Sequence, residues 1–320
     1  MFRIDDATAA TSLPAPEAAG TEGYFTEGNP ATGTPATKVR GSWLNMIQEE
    51  LCAILTAAGV TRSKTSYNQV NAALQKMYSP VIGTARNLKG LVTAAGNTQT
   101  FTADEIVVGT SLGSQKYVLG SFNQSINLST VGAGGMDTGS APANGFVAVY
   151  AIYNPTTSTR STLATNATSA AQSNVYSGAN MPSGYTASAL ISVWPTNGSG
   201  QFVPGTQIDR SVGYGGGNPL STTTIATLAN ISTTIFPLNA RSISGFLQVG
   251  NTAAAAVSLT AYPMNVAVGG QTNTCNVVAG SSTAVPFNRL PIVTPQNLFY
   301  TSTSSAGTPT FTIAVTSYEF

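Results

Sequence analysis

The chain has 320 residues, 42% of them hydrophobic and only 8% charged, with a formal net charge of +1 and no histidine. That length suits two or three modules, and the hydrophobic fraction suffices for a core, so low charge does not here mean disorder. Near-neutrality removes the electrostatic case for nucleic acid or an anionic membrane as partner, and the missing histidine removes Ser-His-Asp and Cys-His nucleophiles and every His-dependent metal site.

The polar remainder is mostly Ser, Thr, Asn, Gln and Gly, the composition of strands and turns whose surface stays wet without ions. The start, Met1 to Asp6, has no basic segment followed by an apolar run, so no secretory signal is expected. No apolar stretch approaches the roughly 20 residues of a membrane-spanning helix. The expectation is a protein made in a cytoplasm that leaves it as part of a larger particle. Cys52 and Cys275 fit no metal or redox spacing and are expected to be free thiols. No metal, cofactor or catalytic residue is expected.

Residues 1–40 carry Pro14, Pro16, Pro30 and Pro35 amid Ala, Gly and Thr without periodicity. An extended arm that docks on a partner is expected, with Tyr24 and Phe25 as its large apolar anchors. Residues 41–85 follow as a helical hairpin and oligomerisation segment. A helix over 42–58 is predicted, with Ser42 as N-cap and Gly59 as terminator. Trp43, Met46, Ile47, Leu51, Ile54, Leu55 and Ala58 recur at three- and four-residue steps along it. A second helix is predicted over 67–77, with Ser66 and Gln69 as a capping box and Tyr67, Val70, Leu74 and Met77 on one face. Such a hairpin is too small to bury its own stripe, so Trp43, Ile47, Leu51, Ile54 and Leu55 are expected at an oligomer interface.

From Arg86 the helical period disappears, and 86–212 reads as a strand-dominated domain. Strands are predicted at 88–95, 98–101, 106–109, 116–119, 122–128, 146–154, 187–195 and 201–209. The near-continuous apolar run at Gly145–Asn154 marks a central strand covered on both faces. The Ala-rich stretch Thr162–Gln172 reads as a short helix over the sheet. Residues 213–219, Gly-Tyr-Gly-Gly-Gly-Asn-Pro, lack the Lys-Ser/Thr of a phosphate loop and read as a flexible linker.

Residues 220–320 are predicted as a β-sandwich, with strands at 222–228, 233–237, 243–250, 257–263, 274–279, 284–287, 298–301 and 311–318. Only Arg241, Arg289 and Glu319 are charged here, and Phe246, Tyr262, Phe287, Phe299, Tyr300 and Phe311 are expected mostly in the core. The loops Gly269–Thr274 and Thr301–Thr308 are candidate contact regions for an uncharged ligand. The fold class is therefore mainly β: extended arm, short helical hairpin, strand-dominated middle domain and C-terminal β-sandwich.

Glycosidases need only two facing carboxyls, but after Glu105 the chain has just Asp137, Asp209 and Glu319. Asp137 lies in a turn-rich run and Asp209 beside Arg210, so a turn residue and an Asp–Arg pair are expected. The competing reading is a catalytic pair assembled from two subunits.

The run from Tyr24 through Phe25, Thr26, Glu27, Gly28, Asn29 and Pro30 to Gly33, Thr34, Pro35 and Thr37 closely resembles the N-terminal segment of tailed-phage and prophage tail-fibre proteins. Trp43-Leu44-Asn45, Gln48-Glu49-Glu50-Leu51, Ile54 to Gly59 and Ser63-Lys64-Thr65 continue that likeness. Phe101 to Val108 and Tyr185 to Leu190 look like modules that follow such segments in virion proteins. The resemblance implies attachment to the tail or baseplate through Tyr24, Phe25, Asn29, Pro30 and Pro35, and a homotrimer. It also implies a C-terminal domain facing a host surface glycan or protein, and a place in the virion. The alternative is a short baseplate, collar or adaptor protein that binds another virion protein. An enzymatic tailspike comes third.

Overall fold

The computed structural model describes residues 2–78 and 81–320. With 44% strand and 9% helix, the protein is mainly β. The chain divides into two compact units, 1–79 and 80–320. Ser79 and Pro80, inside the expected hairpin segment, lie outside the described residues.

The first unit holds a mostly irregular arm and two helices, α1 (Gly41–Ala57) and α2 (Gln69–Tyr78). Helix α1 opens after Arg40, whose backbone is extended and whose side chain makes no cap, so Ser42 is already inside the helix. It closes as expected: Gly59 takes φ +61°, its N–H bonds Thr56 O, and the Val60 N–H bonds Leu55 O, which together form a Schellman motif. Helix α2 begins two residues later than predicted. Its buried first residue, Gln69, donates to Thr61 O at 2.7 Å and accepts from Ser63 N–H at 3.1 Å, tying the connecting loop to the helix.

The second unit opens with β1 (Ala85–Arg86), β2 (Lys89–Val92), β3 (Thr98–Gly109) and β4 (Lys116–Asn127). It continues with β5 (Gly135–Met136), β6 (Phe146–Asn154), β7 (Thr159–Asn166), β8 (Ala187–Pro195) and β9 (Gly205–Ile208). Strands β10 (Ser211–Thr222), β11 (Ala229–Ser232), β12 (Ser242–Asn251) and β13 (Ala255–Tyr262) follow. The last four are β14 (Gln271–Val277), β15 (Ser281–Pro291), β16 (Asn297–Ser304) and β17 (Pro309–Glu319).

Strands β6 and β8 match their predicted bounds. Phe146 to Ile152 and all of β8 are buried, as a strand covered on both faces requires. The four short strands predicted between 98 and 128 merge into the long hairpin β3–β4. Thr162–Gln172 is not a helix. Its first half belongs to β7, whose Leu163 and Ala164 are fully buried against β6, so sheet pairing overrides alanine's helical preference.

The larger correction concerns the expected linker. Residues 213–219 lie inside β10, which pairs with β9 on one side and β17 on the other. Register shifts between Gly213, Gly217 and Leu220 bulge this strand. Gly216 sits at φ +58°, and a Cβ there would lie 1.8 Å from Val315 O, so glycine is needed for close approach. One sheet consequently runs through the supposed boundary in the order β15-β12-β17-β10-β9-β2-β3-β8-β6-β7-β5. A single hydrophobic core extends from Ile82 to Phe320.

The C-terminal sandwich is present, but it borrows that sheet. Its second layer is the four-stranded sheet β11-β16-β13-β14. Val257, Leu259 and Ala261 of β13 face inward, as do Leu298 and Tyr300 of β16. Asn273 of β14 is 2% exposed and donates to Leu247 O at 2.9 Å and Thr283 O at 3.0 Å, bridging the layers. Of the six aromatic residues expected in the core, Phe287, Tyr300 and Phe311 are buried, whereas Phe246, Tyr262 and Phe299 are half-buried. The predicted strands at 222–228 and 233–237 are replaced by the end of β10, a loop and β11.

Two outcomes follow. A fragment 220–320 loses most of β10 and exposes the edge of β17, so it will not give a cooperative thermal transition, whereas 81–320 will. Asn273→Ala removes the donor from a buried bond to Leu247 O and a part-buried bond to Thr283 O, and should cost about 2 kcal/mol in chemical denaturation of the full chain.

Candidate functional site

The segment singled out by the sequence, 24–37, is not extended but doubled back on itself. Thr37 N–H bonds Thr26 O at 2.9 Å, and Asn29 and Thr34 exchange N–H···O bonds of 2.8 and 3.0 Å. Between them Pro30–Thr32 form one 3-10 turn. Asn29 Oδ1 accepts from Ala31 N–H at 3.0 Å, Pro30 fills a position whose N–H would have no partner, and Gly33 closes the turn at φ +71°. Gly28 is also at φ +71°, and a Cβ there would lie 2.4 Å from Thr34 O. The Asn-Pro…Gly-Thr spacing thus encodes a small closed hairpin, with Pro35 leading out of it.

This hairpin has no core of its own. Tyr24 is 98% exposed, and Phe25 sets its ring edge against Trp43, centroids 4.9 Å apart. Charge ties other parts of the arm to α1, to the interhelical loop and to the arm's own end at Arg40. Arg3 Nε donates to Glu49 at 2.7 Å, Lys64 pairs with Asp5 at 2.7 Å, and Arg40 with Glu17 at 3.2 Å. Between Leu13–Glu17 and the Ser42, Trp43 and Met46 side of α1 lies a shallow cavity of about 430 Å³.

Of the five residues expected at an oligomer interface, Trp43 and Ile47 are exposed and Leu51 and Ile54 are half-buried. Leu55 is fully buried against Ala58 and Ala73, so it belongs to the hairpin's own seam. Of the residues expected on one apolar face of the second helix, Val70 is half-buried and packs against the Leu55, Ala58 and Ala73 seam, Leu74 and Met77 are exposed, and Tyr67, which precedes α2, is 97% exposed. Sequence reasoning also passed over Leu44 as a surface residue, and it is 53% exposed. The cause is length. Helix α1 spans about 25 Å and α2 about 15 Å, so the first turns of α1 have no helical neighbour. Periodicity marks apolar positions but not where the partner helix ends.

The three carboxylates weighed for catalysis are engaged separately. Asp137 accepts from Tyr176 Oη at 2.9 Å and Thr138 N–H at 2.8 Å. Burial, and then this bond, push the Tyr176 phenol up to about 12. Asp209 accepts the Leu88 N–H, and Glu319 pairs with Arg289 at 2.8 Å. The expected Asp209–Arg210 pair gives way to Arg210 reaching the Phe320 and Leu190 carbonyls and stacking on the Phe320 ring. Cys52 and Cys275 are free thiols, as expected. Of the candidate contact loops 269–274 and 301–308, only 269–270 and 305–308 are loop, because 271–274 open β14 and 301–304 close β16. Val257 pairs with Ser304 and Ala261 with Gln271, which puts loop 263–270 and loop 305–308 at opposite ends of the four-stranded sheet.

No family model matches the chain. A 77-residue stretch, 24% of the chain, is 42% identical to the uncharacterized protein StfP of Escherichia coli (strain K12). The match spans about a third (35%) of that protein's length. No helix among the described residues is long and apolar enough to cross a membrane.

Arm docking should respond to pH and salt. Hydrogen bonds from Lys64 to Asp5, from Arg3 to Glu49 and from Ser42 to Glu17 hold these carboxyls below their ordinary values of 3.8, 4.5 and 4.5. A lowered carboxylate pKa stabilises docking above the ordinary value and stops doing so as pH falls through the lowered one. The Ile4 N–H, which bonds Gln48 Oε1 at 2.7 Å, reports this. Its NMR resonance should move toward the free-chain position as pH falls below the ordinary carboxylate range and, because the pairs are exposed, in about 0.5 M salt.

Proposed function

We propose that this chain is a structural protein of a tailed-phage or prophage particle, of the tail-fibre type. Residues 24–37 join it to the tail or baseplate, and the C-terminal sandwich contacts the host surface. The observation that carries the reading is the 24–37 hairpin. Its internal hydrogen bonds fix the shape while Tyr24 and Phe25 stay largely outside, an arrangement suited to a preformed plug for another protein's surface. The local identity to StfP supports a shared element and goes no further. A binding role, not catalysis, fits a chain without histidine whose three late carboxylates are each occupied elsewhere.

Assembly as a homotrimer rests on the exposed Trp43, Leu44, Met46 and Ile47, which three copies around an axis would cover. Deleting 1–40 should leave 81–320 folded and the protein absent from purified particles. Gly28→Ala, which cannot keep the hairpin, should lower incorporation in the same direction. Wild-type incorporation of both variants contradicts the attachment role. A stable monomer of the full chain at about micromolar concentration contradicts the trimer. A particle image with the C-terminal sandwich buried against another virion protein would favour the adaptor reading.

A further inference from the structure

The outer face of the four-stranded sheet is partly open to solvent: Thr272 and Thr274 are exposed, Ser258, Tyr262, Phe299 and Thr301 are half-buried, and Thr260 is buried. Alternation along its strands sends Tyr262, Thr260 and Ser258 of β13 to this face, together with Phe299 and Thr301 of β16 and Thr272 and Thr274 of β14. The register makes rows of them. Tyr262 stands opposite Phe299, and Thr301, Thr260 and Thr272 form the next row. Neighbours across such a row are about 5 Å apart.

Three properties of this face point to one chemistry. Its strands contain no charged residue at all. Arg241, Arg289 and Glu319, the only charges after residue 219, lie on or beside the other sheet. Its hydroxyls are pre-set by cross-strand pairs: Ser258 Oγ and Thr274 Oγ1 are 2.7 Å apart, and Thr260 Oγ1 and Thr272 Oγ1 are 2.9 Å apart. Each pair spends one proton; Thr260 is buried, so the exposed Thr272 and Thr274 hydroxyls are the ones left to meet a ligand. Two half-buried aromatic rings adjoin the array, an arrangement of large apolar groups that a strand face turned only to water does not need.

An anionic glycan or nucleic acid would find no cation here. A ligand with many hydroxyls and apolar C–H faces, and no charge, matches both the array and the rings. We infer that the outer face of the β11-β16-β13-β14 sheet binds a neutral surface glycan. This rests on the host-contact role proposed above and moves it from the loops to the sheet face.

The test uses the full chain against immobilised uncharged glucan, mannan, galactan and N-acetylglucosamine oligomers, with uronic-acid oligomers alongside, and adsorption to cells that the particle infects. Binding to at least one uncharged oligomer, equal at low and high salt, is the expected result. Phe299→Ala should weaken it about tenfold. Thr272→Lys, at an exposed position of an edge strand, should abolish it with an unchanged melting temperature, while Ala284→Lys on the opposite sheet leaves it intact. Undiminished oligomer binding by both Phe299→Ala and Thr272→Lys overturns the location and spares the host-contact role. Adsorption to cells without binding to any uncharged oligomer overturns the ligand class. Failure to bind either oligomers or cells overturns the host-contact role and this inference with it.

Discussion

The antiparallel pairing of β10 with β17 decides the architecture of the large unit. Strand β10 leaves the middle of the sheet beside β9, passes through its glycine bulges and continues as a partner of the last strand of the chain. Because the two strands also share the core, neither the middle region nor the sandwich has a complete sheet without the other. Tyr318 closes the junction. Its ring packs edge-on against Phe146 and Tyr214, its hydroxyl donates to Val193 O on β8, and burial holds the phenol protonated. A buried phenol bonded across two parts of one sheet makes their unfolding a shared event.

The first unit is built on the opposite principle. Its helices meet through Leu55, Ala58 and Ala73, and its arm is held by exposed ion pairs and one ring contact. Exposed pairs contribute little each, and the seam buries a small area. What is well determined there is local: the Asn29–Thr34 turn and the Schellman end of α1. Such a segment holds its surface pattern ready while leaving its larger position to a partner, which suits the proposed attachment role.

The absence of charge, first met as a composition, acquires a location in the fold. The charges of the last hundred residues gather on and beside the large sheet, and the outer four-stranded layer has none. Solubility of that layer rests on hydroxyls and amides, and so does its capacity to meet another surface. Ionic strength then has little purchase on it, unlike on the arm.

Local rules were legible wherever neighbours along the chain set the outcome. The glycine stop of α1, the doubly covered strands β6 and β8, and the alternation of the C-terminal strands could be read because each depends on residues within a few positions. Tertiary structure decided whatever depends on a distant partner. Gly213–Pro219 has a linker's composition, and only the close approach of β17 turns it into a strand. Leu55 and Ile47 carry the same helical signal, but the short α2 reaches one and not the other. Tyr262 and Phe299 alternate as core aromatics do, and only the order of the second sheet shows that their side faces out. A one-dimensional pattern records that a side chain is apolar, whereas which surface receives it depends on strands and helices far away in the chain.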